Sequence, residues 1–239
     1  MSDSTGGCLF LVPTPIGNLE DITERAIKTL EAADLVACED TRHSGQLLKL
    51  LGLKKRLVSY HDFNESYRAG QLSSLMTEGK TIAVITDAGS PGISDPAYRL
   101  VRSAIDAGIP IVPLPGPTAL IPAVTASGLP TDRFFFEGFL SNKSAARRNR
   151  LEKLKDFDHT LVFYESPHRT HKALHDMLEI LGDRPACLAR EISKKFEEFI
   201  RGKLSELITR LEGKTIKGEV VLVIAGAGFA GDGKDEKDE

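Results

Sequence analysis

The chain has 239 residues, enough for one large α/β domain or for two domains near the common size, each with its own core. Its 41% hydrophobic and 27% charged residues exclude a natively disordered chain, and no stretch approaches the roughly 18–20 apolar residues of a membrane-spanning helix. A formal net charge of −3 excludes binding of nucleic acid by bulk charge, so any such surface must be local.

The first apolar run, Cys8-Leu9-Phe10-Leu11-Val12, is too short for a signal sequence and lacks a basic flank. It reads as a strand, and a cytoplasmic location is expected. After a Pro/Gly turn, Asp21 and Glu24 have the D-x-x-E spacing of a capping box, ahead of the helical face Ile22, Ala26, Ile27, Leu30 and Ala33. Further strands are expected at 35–38, 56–60, 81–86 and 109–114, with helices around 42–51, 65–78 and 96–107. Asp95-Pro96 is a natural start for the last of these, since Asp caps orphan amides and Pro at the first helical position loses no hydrogen bond. Alternation of strand and helix predicts a mainly parallel sheet.

Pro113-Leu114-Pro115-Gly116-Pro117 continues neither strand nor helix, so the first domain is expected to span 1–117, with a helix of small residues following. The second, 118–228, carries strands at 134–140, 160–164, 186–190, 197–201 and 219–225 and helices near 145–155, 167–181 and 203–212, with Pro167 in a first helical turn. Several of its strands follow one another directly, which predicts a mixed sheet. Residues 229–239, ending GDGKDEKDE, read as a solvated, disordered acidic tail. Cys8, Cys38 and Cys187 lie far apart in apolar runs and read as reduced packing residues; no metal site is expected.

Ligands of open α/β sheets bind at the carboxyl ends of strands. Three loops there are dense in Gly, Pro and small polar residues: Pro13 to Asn18, Asp87 to Asp95, and Pro115 to Ala119. Small residues leave backbone amides and carbonyls uncovered, so each loop allows close approach of a ligand. G-x-x-x-x-G-K-[ST] is absent, and the G-x-G-x-x-G spacing at Gly226, Gly228 and Gly231 leads into a charged tail rather than a helix, so dinucleotide and P-loop chemistry is poorly supported. A neutral, backbone-rich pocket suits adenosine and amino-acid groups better than a polyphosphate.

The ordered blocks TPIGN, TDAGSPGISDP, PLPGPTAL, FFFEGFL, VFYESPHR, ARE with KKFEE, and GEVVLVI resemble the tetrapyrrole methylase superfamily. They are most similar to its bacterial branch that 2′-O-methylates a cytidine in the decoding region of 16S ribosomal RNA of the small subunit. The resemblance runs from about residue 8 to 226. It implies two α/β domains, a mainly parallel N-terminal and a mixed C-terminal sheet, S-adenosylmethionine bound in the cleft between them, and a homodimer. Carried over by position, Pro15, Ile16 and Gly17, then Ala88, Gly89, Ser90 and Ile93, then Thr118 and Ala119 would lie near the methyl donor. Glu165 would line the adenosine pocket. Many tetrapyrrole methylases have a Gly-rich first loop and an acidic residue before the second-loop proline, where this chain has Pro-Thr-Pro-Ile-Gly and Ser90.

Methyl transfer from a sulfonium is an in-line displacement needing no metal; the protein aligns the partners and, for a hydroxyl, helps to remove a proton. Asp40 and His61, after the second and third strands, are the candidate proton acceptors, and Arg42 is a candidate for holding a phosphate or the ribose. Asp40 or Thr41 and Asn64 fit helix N-caps equally well. Glu165, Ser166, His168 and Arg169 form the matching edge of the second domain, where Arg190 and Glu191 are read as support. Lys143, Arg147, Arg148, Arg150, Lys153 and Lys155, opposed only by Glu152, form the clearest phosphate-binding footprint, with a plain solvated helix face as the alternative.

Overall fold

The computed structural model describes residues 7–62 and 64–229, so 230–239 of the expected acidic tail lie outside the described residues. The chain divides into two compact units, the first ending at Thr118 and the second starting at Ala119.

The first unit contains β1 (Cys8–Leu11), β2 (Leu35–Cys38), β3 (Leu57–Ser59), β4 (Thr81–Val84) and β5 (Ile111–Pro113). They form one sheet in the order β3-β2-β4-β1-β5, and every pair is parallel. The helices between them are α1 (Glu24–Ala32), α2 (Thr41–Leu50), α3 (Glu65–Thr77) and α4 (Tyr98–Asp106). Side chains alternate across a strand, and β2 shows the result: Val36 and Cys38 pack with Ala26 and Leu30 of α1 and Leu48 of α2. Leu35 and Ala37 pack on the opposite face with Leu72 and Met76 of α3 and Leu100 of α4. Both faces are covered, which is why the strands read as unbroken apolar runs. The loops leaving β1 and β2 therefore turn to one face and those leaving β3 and β4 to the other. Divergence of neighbouring loops opens crevices at the carboxyl edge of the sheet.

Two expected helix starts fall elsewhere. The cap of α1 is Thr23, whose Oγ1 accepts the Ala26 amide at 3.0 Å. Asp21 instead ends a 3-10 turn, Leu19–Asp21, that Asn18 caps. Helix α4 starts at Tyr98 without a side-chain cap; Pro96 and Ala97 are buried, so the Asp95-Pro96 pair serves the preceding loop. The sheet also runs on into Pro113. β5 is an edge strand, where a missing N–H breaks no ladder bond.

The second unit contains α5 (Leu120–Thr125), β6 (Phe134–Phe139), α6 (Ser144–Leu154), β7 (Thr160–Glu165), α7 (Thr170–Leu181), β8 (Pro185–Arg190), β9 (Glu198–Lys203), α8 (Leu204–Leu211) and β10 (Val220–Ile224). Its sheet has the order β6-β7-β10-β8-β9, with β6 and β7 parallel and the other pairs antiparallel. Leu161, Phe163, Leu188 and Leu222 pack on one face against Leu151, Leu174, Met177 and Leu207 of the helices. Full burial of a side chain of this size contributes about 1.5–3 kcal/mol. Helix α7 starts at Thr170, three residues after Pro167, and both the amide and the hydroxyl of Thr170 donate to the Ser166 carbonyl. The three cysteines are free thiols.

Candidate ligand-binding edge

The three small-residue loops of the first unit are laced to one another. Thr14, just past β1, exchanges two backbone hydrogen bonds with Gly89 after β4, at 2.9 and 3.0 Å. The buried Thr14 hydroxyl donates to the Thr86 carbonyl at 3.0 Å, and that of Thr86 to the Gly89 carbonyl at 3.2 Å. Gly89 is left-handed at φ 90°, and a Cβ there would stand 3.4 Å from Ile16 Cγ2 and 3.7 Å from the Pro117 carbonyl oxygen. The third loop closes on the first at Gly116, where a Cβ would meet the Pro13 ring at 2.7 Å. Glycine is thus required by space at Gly116 and by backbone handedness at Gly89, where a Cβ would make ordinary contacts.

Sequence reasoning placed Pro15, Ile16, Gly17, Ala88, Gly89, Ser90, Ile93 and Thr118 in these loops, and the fold gathers the loops at one sheet edge. Ile16 and Gly89 are buried, Pro15, Ala88, Ser90 and Thr118 half-buried, and Gly17 and Ile93 exposed. Ser90 Oγ donates to the Pro117 carbonyl at 3.0 Å, tying the second loop to the third. Ala119 is the residue before α5, in the second unit.

At the ends of β2, β3 and β4 the same edge turns acidic. Asp40 caps α2, accepting the amides of Arg42 and His43 at 2.8 and 3.4 Å. Its other oxygen pairs with the exposed Arg42 guanidinium at 2.9 Å. The hydrogen bonds from the Arg42 side chain and amide hold its pKa at about 2, which leaves it a very weak base. Glu39, one residue earlier, has the opposite character: burial, then the nearby Asp87 and Asp62, raise its pKa. Asp87 joins the second loop to this edge, its Oδ1 accepting the Asp40 amide at 3.3 Å and its carbonyl bonding His43 Nε2 at 3.0 Å. His61 is half-buried against Asn64, ring Nε2 to amide Nδ2 at 3.1 Å, while Asn64 Oδ1 accepts the His61 amide. Asn64 precedes α3 without its side chain accepting a helix amide, because its oxygen accepts the His61 amide instead.

Sequence reasoning thus passed over Glu39 and Asp87 in favour of their neighbours. The available signal was position: each is the first or second polar residue beyond a buried parallel strand, where a side chain meets the open edge.

In the second unit, Glu165 is buried at the end of β7, accepting the Ser166 amide and an Arg169 N–H, both at 2.7 Å. Arg169 also donates to the Ser166 hydroxyl and the Leu140 carbonyl, so one guanidinium ties three segments. The arginines of α6 are not an open arm. Arg147 is 5% exposed and bonded to Asp176 at 2.6 Å; Arg148 is shared between Asp176 and Glu179; Arg150 makes a two-pronged pair with Glu137. Three arginines meet three carboxylates, which cancels most of the local positive field; of the four expected phosphate contacts, Lys143 is the exposed one. Their partners come from β6 and α7, invisible in a local run of sequence.

Among the described residues no cluster of His, Cys, Asp and Glu suits a metal ion, and no helix is long and apolar enough to cross a membrane.

Comparison with known proteins gives a consistent picture. The profile of the tetrapyrrole (corrin/porphyrin) methylases matches residues 8–208. The chain is 49% identical over 228 residues to ribosomal RNA small subunit methyltransferase I of Micromonospora olivasterospora, covering 95% of this chain and 73% of that protein. It is 47% identical over 228 residues to the protein of the same name in Escherichia coli O157:H7, covering 94% and 80%. Among solved structures, uroporphyrin-III-C-methyltransferase from Thermus thermophilus superposes with a TM-score of 0.64 at 24% identity over 92% of this chain and 94% of that one. Diphthine synthase superposes with a TM-score of 0.69 at 16% identity, covering 92% and 90%.

Proposed function

Because the chain belongs to the tetrapyrrole (corrin/porphyrin) methylase family, we propose that it transfers the methyl group of S-adenosylmethionine to a cytidine ribose 2′-hydroxyl in the decoding region of 16S ribosomal RNA, within the small ribosomal subunit. The observation that carries this reading is near-half identity, across more than nine-tenths of the chain, to proteins named for methylation of small-subunit ribosomal RNA. Structural likeness to uroporphyrin-III-C-methyltransferase, at 24% identity, supports the fold and not the substrate.

The laced loops of the first unit fit the donor. Pro15, Ile16, Gly17, Ala88, Gly89, Ser90, Ile93 and Thr118 offer backbone groups and small side chains, a neutral lining that suits a nucleoside bearing a sulfonium. The group supplies an electrophilic methyl carbon when bound; the residues hold it and help remove the proton released by the acceptor hydroxyl. A base works best when its pKa lies near the working pH. Glu39, with its raised pKa, suits that task better than Asp40, held at about 2. His61 is the second candidate acceptor, and Arg42, exposed beside Asp40, fits a backbone phosphate of the substrate. The same family resemblance supports a homodimer in the cytoplasm, with the dimer open to test by sedimentation.

The test is transfer of labelled methyl to small subunits from cells lacking the enzyme, with nuclease digestion and mass spectrometry of the product. A 2′-O-methylated cytidine is the expected result. Methyl found only on a base, or none transferred despite donor binding, overturns the reading.

A further inference from the structure

The carboxyl ends of β6, β7 and β8 lie on one edge of the second unit's sheet: β6 and β7 are parallel, and both β7 and β8 run antiparallel to β10. Two large aromatic side chains are exposed there. Phe139, the last residue of β6, is 54% exposed, and Phe196, in the segment after β8, is 66% exposed. Leaving two phenylalanines in water forgoes a burial that most such side chains obtain.

The orientation of Phe139 is built by a bulge. Residues three apart on a strand normally face opposite sides of a sheet. Here Phe136 pairs with Val162, Gly138 with Phe163 and Phe139 with Tyr164, so Glu137 is the extra residue, and Gly138 takes φ 74°. Phe136 and Phe139 therefore share a face with Tyr164, opposite the helix-covered face that holds Phe163. The Tyr164 ring stands edge-on to both, at 4.9 and 5.6 Å between centroids. Bulges that re-aim a side chain concentrate beside functional sites. The extra residue is itself held, because Glu137 is gripped by Arg150.

Lysines flank both rings. Lys143, exposed, follows β6, and Lys195 Nζ lies 5.6 Å from the centre of Phe196. Among the described residues no ion pair engages Lys143 or Lys195, whereas the nearby carboxylates are taken: Glu191 by Lys194, Glu198 by Arg190, and Glu197 by the Ser193 amide. Phe139 ends β6 and Phe196 follows β8, and these two strands are three spacings apart, roughly 14 Å.

We propose that this edge is a stacking platform for single-stranded RNA, with Phe139 and Phe196 each receiving a nucleobase and Lys143 and Lys195 the intervening phosphates. Exposed rings between uncompensated cations suit a flexible nucleic acid, since every base has a π face and every linkage a charge. An apolar peptide would make no use of the lysines. The proposal rests on the reading of the chain as an RNA methyltransferase and moves the RNA contact from the paired arginines of α6 to this edge.

The experiment uses the full chain and purified small subunits from cells lacking the enzyme, measured by filter retention and by methyl transfer. Phe139→Ala and Phe196→Ala should each weaken retention and raise KM roughly 5- to 100-fold, with kcat and calorimetric donor affinity within about twofold of wild type. Phe139→Tyr and Phe196→Tyr keep a ring and should restore most of the affinity. Lys143→Glu with Lys195→Glu should weaken retention and reduce its salt dependence by about two counterions. Circular dichroism and sedimentation verify fold and oligomeric state. Wild-type retention in the double alanine variant overturns the platform, and so does a ring deletion that changes only the oligomeric state. Filter retention reads the platform without turnover, so absence of transfer by the wild type counts against the methyltransferase reading and not against the platform.

Discussion

Thr14 and Gly89 exchange a reciprocal pair of backbone hydrogen bonds, 2.9 and 3.0 Å long, that joins the loop after β1 to the loop after β4. The pair fixes the floor of the proposed donor site, and its geometry depends on a residue without a side chain. Gly89→Ala forces a Cβ into a left-handed backbone, which costs about 1–2 kcal/mol. Chemical denaturation should show that loss, and calorimetry a weaker association with S-adenosylmethionine. Gly116→Ala drives a Cβ into the Pro13 ring, and overpacking of this kind costs about 1–3 kcal/mol.

Glu39→Gln keeps the size of the side chain and removes its basicity. Loss of a general base lowers kcat by roughly 10²–10⁴-fold, while donor affinity should hold. The direction with pH follows from the raised pKa: as pH falls, Glu39 gains its proton at a higher pH than an ordinary glutamate and stops accepting one. The wild-type rate should therefore fall on the acid side, and the Gln variant should lose that limb. An unchanged acid limb would assign the proton to His61 or to water.

Asp40 should prove to be a stability residue. Its pKa is lowered from 3.8 to about 2 by Arg42 and the α2 amides, so its stabilising charge is fully present above pH 3.8 and is lost as pH falls through about 2. Asp40→Asn should lower the melting temperature at neutral pH, and the gap to wild type should close across that acid window. Equal melting curves at pH 7 would show that the cap is dispensable.

Asp176→Ala removes the carboxylate that compensates the buried Arg147. Breaking such a pair costs about 3–5 kcal/mol, because one charge is left in a poorly solvated site. Replacing both partners, Arg147→Met with Asp176→Leu, should recover most of that loss. Urea denaturation separates the two outcomes; a double variant as unstable as the single would show that the pair has a further structural role.

The elements were legible along the chain because buried parallel strands must be apolar and their helices must carry a 3.6-residue stripe. The helix starts were less so. Thr23 and Asp21 are both capping residues, and the 3-10 turn that Asn18 caps absorbs Asp21. Asp40 was legible as a possible cap, but its unusually low proton affinity depends on Arg42 folding back onto it. The α6 arginines were misleading as an electrostatic footprint for a similar reason: Asp176 and Glu179 stand a helix and a strand away in sequence.

By itself the sequence determined the alternation of strands and helices, the small-residue loops and the family, since each is written in local spacing or in ordered blocks. Only the tertiary structure decided which charges remain free and which residues meet at the sheet edge. Neutralisation of an arginine, the environment of Glu39 and the turning of Phe139 by a bulge all arise from partners brought in by other strands and helices, and electrostatics and packing depend on distance in space rather than on distance along the chain.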